Sequence, residues 1–112
     1  MNDRLPSGLE AKALMRAAES MGGMAMTLAK GDPDRGDHLV LLLDRGTAVS
    51  LLTREIGPDG QRHWRALLDE DAEARAFDEA IARRRRVDPD CWVIEVDGVD
   101  PARYRAEILE IS

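Results

Sequence analysis

Three aspartates crowd the stretch KGDPDRGDH (residues 30–38): Asp32, Asp34 and Asp37. Two more, Asp88 and Asp90, flank Pro89 in VDPD. Carboxylate oxygens are the hard donors that Mg²⁺ and Ca²⁺ prefer, and a cation such as Arg16 would turn the same region toward phosphate. A divalent-metal or phosphate ligand is therefore the chemistry these six residues could serve. Their spacing fits neither standard loop. Counted from Asp32, a calcium loop needs glycine at the sixth position and glutamate at the twelfth, where this chain has Asp37 and Leu43. A phosphate loop needs Gly-x-x-x-x-Gly-Lys-Ser/Thr running into a helix, which is absent. The competing reading is turn chemistry. Aspartate side chains accept local backbone N–H bonds, Pro33 sets φ, and Gly36 tolerates conformations closed to other residues.

The remaining reactive groups are His38, His63 and Cys91, none at ligand spacing to another. No serine, cysteine or lysine sits in a nucleophile motif, so neither a catalytic residue nor a cofactor is expected. The run RRRR (83–86) points all round a helix axis rather than to one face, and suits a helix C-terminus, where the dipole favours cations. Trp64 and Trp92 are either interface anchors or, in a chain with one Phe and one Tyr, the bulk of the core. If Trp64 faces the core, strand alternation turns its neighbour His63 to water.

These residues must be positioned by a chain of 112 residues, the size of one domain (1–112). A net charge of −6 argues against a surface for nucleic acid. No apolar run reaches the roughly 20 residues of a membrane span, the N-terminus lacks a signal-peptide pattern, and a lone cysteine makes no internal disulfide. A cytoplasmic protein that binds neither nucleic acid nor membrane is the expectation.

SGLEAKALMRAAESMGG predicts a helix. Ser7 and Glu10 have capping-box spacing, Leu14, Ala18 and Met21 recur at helical intervals, and Gly22–Gly23 form the stop. MAMTLAK, HLVLLLD, TAVSLLTREI and QRHWRALL read as four strands joined by connections too short for crossover helices, hence an antiparallel meander. DEDAEARAFDEAIARRRR switches to the helical period and ends at VDPD, because Pro89 disfavours helix at Asp88. CWVIEV is a strand. The tail after Asp100 mixes a helix start at Pro101 with an alternation of Tyr104, Ala106 and Ile108, and is read as a helical turn followed by a strand. The expected fold is α+β, in the order α-β-β-β-β-α-β. About five antiparallel strands would carry both helices on one face.

RLPSGLEAKALMRAAES, KGDPDRG, GPDGQRHW and ARRRRVDPDCWVIEV together resemble domain-of-unknown-function family 1491, a family of small bacterial proteins. The similarity runs from about Arg4 to about Val96, and its most specific block is DPD-x-W-V-x-E at residues 88–95. The tail after Gly98 fits the family pattern less well. The resemblance implies one compact domain and assigns no activity.

Two functional classes follow. The first is a non-catalytic accessory module that binds a protein partner or itself, using Met24, Met26 or Trp64 and the exposed strand edges a meander leaves. The second is a small ligand-binding protein or enzyme that uses the acidic turns with Arg16. It requires the two turns to meet at one end of the sheet.

Overall fold

The strand β2 (His38–Asp44) sets the architecture, because its residues from His38 to Leu42 are buried on both faces and each face must be covered. The computed structural model describes residues 5–109 and 111. In chain order it contains α1 (Ser7–Ser20), β1 (Met24–Ala29), β2, β3 (Thr47–Ile56), β4 (Arg62–Leu68), α2 (Ala74–Val87), β5 (Trp92–Asp97) and α3 (Pro101–Ile108). The strands form one sheet in the order β1-β5-β2-β3-β4. The α+β class and the five strands agree with the sequence reading.

Three details differ from it, each for a physical reason. First, the meander runs only through β2, β3 and β4. β5 enters between β1 and β2, antiparallel to β1 and parallel to β2. The connection over residues 30–37 can span two strand spacings, about 10 Å, and the slot it leaves receives the apolar WVIEV. Second, the helices do not share a face. α1 and α3 cover Val40, Leu42, Leu52, Ile94 and Val96. α2 covers the alternate residues Leu39, Leu41, Leu51 and Val93 through Phe77. A central strand that is apolar on both sides demands this three-layer arrangement. Third, the C-terminal element, which the sequence leaves open between helix and strand, is helix. Asp100 caps it by accepting the Arg103 N–H at 3.0 Å, with Pro101 in the first turn. Tyr104 and Ile108, one helical turn apart, are fully buried, and the Tyr104 hydroxyl donates to the Leu14 carbonyl at 2.7 Å. Alternate residues in sequence include an i, i+4 pair, and packing on α1 selects that period over the strand's.

The hairpin between β2 and β3 turns on Arg45 and Gly46, both at positive φ (51° and 83°), as its two-residue connection requires. Asp97 of β5, the strand beside β2, holds that turn: its carboxylate accepts the N–H groups of Arg45 and Gly46, each at 3.0 Å.

Candidate functional site

The two aspartate turns do meet at one end of the sheet, and backbone joins them. The Asp32 N–H donates to the Asp90 carbonyl at 3.0 Å, and the Trp92 N–H donates to the Asp37 carbonyl at 2.7 Å. The Trp92 indole N–H closes the seam on the Asp32 carbonyl at 2.8 Å. Gly31 and Gly36 make this approach possible, because a Cβ on either would overlap the Asp90 carbonyl oxygen. The carboxylates of Asp32 and Asp88 serve the turns themselves. Asp32 Oδ1 accepts the N–H groups of Asp34 (2.8 Å) and Arg35 (3.0 Å). These backbone bonds hold its pKa below the usual aspartate value. Asp88 Oδ1 accepts the Asp90 N–H at 3.2 Å. Asp34 is exposed, and Asp37 lies 3.5 Å from Arg62 Nη2. Among the described residues, no group of three or more His, Cys, Asp or Glu converges on a position for a metal ion. Arg16 is not brought to the turns. It lines a separate cleft between α1 and α3, beside Ala17, Ser20 and Glu107.

The strongest concentration of charge is one the sequence reading does not single out. Glu10, fully buried, bonds the Arg54 guanidinium Nη1 at 2.5 Å. Arg62 Nη1 stands 3.6 Å from the same carboxylate, and His38 Nδ1 stands 3.9 Å from it. The Arg54 guanidinium also lies over the Trp64 ring, 4.3 Å from its centroid, a cation–π contact. Trp64 is therefore half-buried beneath a cation rather than displayed as a free aromatic. Ser7 and Glu10 do not form the expected capping box. Ser7 is already helical, and the N-cap Pro6 has no side chain to cap with. The 32–37 loop supplies the acceptors instead: the Gly8 N–H donates to the Pro33 carbonyl at 2.8 Å. Glu10 is thereby released to the interior. Strand alternation was the available signal, since it puts Arg54 on the same face as Leu52.

The other reactive groups are accounted for locally. His38 is fully buried, its Nε2 is 2.9 Å from the Ser7 carbonyl, and its ring stacks near Trp92. Burial lowers its pKa, and the neighbouring Arg54 and Arg62 add to the shift against the opposing Ser7 bond and Glu10. His63 is exposed and pairs with Asp59 at 2.9 Å. Cys91 is buried on the α2 side, which pushes its thiol up to about 11. In the arginine run, Arg85 donates to the Pro89 and Cys91 carbonyls at 2.6 Å each, and Arg84 reaches Thr53 Oγ1 at 3.2 Å. These two arginines tie the end of α2 to the sheet.

A different kind of surface lies on β1. It ends the sheet and, among the described residues, pairs only with β5. Met24 is 76% exposed, Met26 53% and Leu28 46%, while Ala25 and Thr27 turn inward beneath α1. The expected interface residues Met24 and Met26 thus lie in an apolar stripe along the end strand of the sheet.

The family model for a protein of unknown function, DUF1491, matches residues 5–104. The chain belongs to this family. The match extends through Tyr104, so the start of α3 is part of the family pattern. Among solved structures, the chain is similar to a DUF1491 family protein from Caulobacter crescentus CB15 determined by crystallography. They are 30% identical, with 89% of this chain and 94% of that one covered and a TM-score of 0.77. It is also similar to a DUF1491 family protein from the same organism determined by NMR, at 32% identity, with 93% and 94% covered and a TM-score of 0.78. Protein Atu0922 from A. tumefaciens shares the fold at 24% identity, with 91% and 92% covered and a TM-score of 0.77. No curated protein matches the sequence. Among the described residues, no helix is long and apolar enough to cross a membrane.

Proposed function

We propose that this DUF1491 protein is a non-catalytic interaction module that docks a protein partner along the outer edge of β1. One observation carries this reading: a terminal strand that has no outer neighbour among the described residues exposes Met24, Met26 and Leu28 in a row. An unpaired strand edge offers N–H and C=O groups to an incoming chain, and methionine's flexible thioether suits a surface that must adapt to a partner. Natural sheets protect such edges. Here the protection is slight, one irregularity between Thr27 and Ala29 and a lysine at the end. The reactive groups support the same reading, since His38 and Cys91 are buried and the Asp32 and Asp88 carboxylates accept backbone N–H groups.

The test is site-specific photo-crosslinking in the native cell. Benzoylphenylalanine at position 26 is expected to give a discrete crosslinked species, and the same probe at exposed Arg103 of α3 is expected to give none. No product from positions 24, 26 and 28, or equal products from position 103, would refute the assignment.

A further inference from the structure

We infer that the occupant of the β1 edge is an extended acidic segment of another protein, added as a sixth strand with its carboxylates turned toward Lys12 and Lys30. This rests on the interaction reading above and names the partner's chemistry.

The added strand would meet two different surfaces. On the face away from α1 lie Met24 and Met26, paired in register with Asp97 and Glu95 of β5. On the other face lies a groove between α1 and β1, lined by Leu9, Lys12, Met15, Lys30 and Trp92. The opposite flank of α1, with Ala13 and Ala17, is turned to the α3 side, and Arg16 lies on the exposed face between the two flanks. The flank carrying Lys12 and Met15 is therefore directed to the sheet's free edge, and Thr27 of β1 meets Met15 there, Oγ1 to sulfur at 3.6 Å. Successive side chains of an added strand alternate between the two faces. One set would lie on the methionine stripe and the other in this groove.

Charge selects which set is acidic. Lys12 and Lys30 are the only lysines in the sequence, every other basic residue being arginine, and both border this groove. Asp34 also lines it, so the groove sets two cations against one carboxylate, a local reversal of sign in a chain of net charge −6. The methionine face has the opposite character, because Glu95 and Asp97 stand beside it and repel carboxylates. The two faces together specify a strand with acidic residues on its α1 side and apolar residues on the other, using repulsion as well as attraction. Long, mobile lysine side chains accept carboxylates without strict geometry, as suits a strand whose position is set by backbone bonding. A second copy of this chain matches less well. Its own β1, MAMTLA, carries no charge and would leave both lysines unanswered.

The experiment selects binders from a random twelve-residue peptide display library against the full chain, then measures the enriched peptides by anisotropy and by backbone amide shifts. Enriched sequences are expected to carry Asp or Glu at alternate positions and to shift the amides of β1 and of the Leu9–Met15 flank of α1. Lys12→Glu with Lys30→Glu should weaken them about ten-fold, and Arg103→Glu, at an exposed position on α3, should not. All three positions are exposed, so folding is not at issue. Neutral or basic enriched peptides that still shift β1 would overturn this inference and leave the interaction reading standing. No enrichment, or peptides that bind away from β1, would count against both. A concentration-dependent dimer in sedimentation that is lost with Met26→Arg would give the edge to a second copy and also overturn the inference.

Discussion

Glu10 stands in the interior with two guanidinium groups on its carboxylate, a costly arrangement unless every charge is answered. Removing one partner leaves the other buried and uncompensated. Glu10→Ala is expected to destabilise the protein by about 3–5 kcal/mol in urea denaturation. Replacing Glu10 and Arg54 together with methionine should cost less than Glu10→Ala alone, because the cation that remains, Arg62, still has Asp37 at 3.5 Å. A double variant as damaged as the single would show that the pair supports the fold by more than mutual neutralisation. His38, beside this cluster, predicts a pH dependence. Its folded-state pKa lies below the ordinary 6.5, so the folded protein binds fewer protons than the unfolded chain as pH falls. Its contribution to stability is complete above about 6.5 and declines below it, with a slope of at most about 1.4 kcal/mol per pH unit. The carboxylates of Asp32, Glu55 and Asp59 also have lowered pKa values, but their losses begin only near the usual carboxylate range. Between about pH 6.5 and 5 the slope should therefore vanish in His38→Gln, as measured by denaturant midpoints. A slope unchanged in that variant would place the titrating group elsewhere.

Among the elements, the seam between the 32–37 loop and the β5 entry turn has the narrowest steric tolerance. Gly31→Ala and Gly36→Ala each force a methyl into the Asp90 carbonyl, and each should cost on the order of 1–3 kcal/mol or more. Asp34→Asn should be nearly silent, since the turn's acceptor is Asp32. Thermal melts of the three variants check this, and a silent Gly36→Ala would mean the loop can dock without that close approach. The seam also shows what the sequence could and could not convey. That GDPDRG and VDPD are turns was readable from proline, glycine and aspartate alone, because turn preferences are local. That the two turns dock on each other was not, since it depends on β5 entering between β1 and β2, a pairing that joins residues some 70 positions apart. Helix α1 was legible from its periodicity, while its capping was misread because the acceptors for its first N–H groups are carbonyls of a distant loop. The same dependence hid the Glu10 cluster. Each of its members comes from a different element, and only strand parity at Arg54 hinted that a charge faced inward. In the tail, the local pattern fitted two periods, and the decision lay with Leu14 and its neighbours on α1.

Across the whole molecule, stability should be graded from the middle of the sheet outward, and the proposed docking edge sits at the weak end. β2 and β5 have neighbours on both sides and helices on both faces, with Leu39, Val40, Val93 and Ile94 fully buried. Among the described residues, β1 has one neighbouring strand, a register break, and three exposed apolar side chains on the face away from α1. Local opening follows burial and contact density, so amides in β2 and β5 should exchange with solvent only through global unfolding, and those of β1 through smaller openings. Native-state hydrogen exchange followed by NMR is expected to show β1 opening at a lower free energy than β5, even for amides bonded in the same β1–β5 ladder. Binding at the edge should change this order selectively. A partner that pairs with β1 supplies its missing neighbour, and protection should rise along Met24–Ala29 while β2 stays as it was. If β1 in the free protein were already as protected as β5, the edge would be held by something other than the contacts described, and it would be a poor site for an added strand.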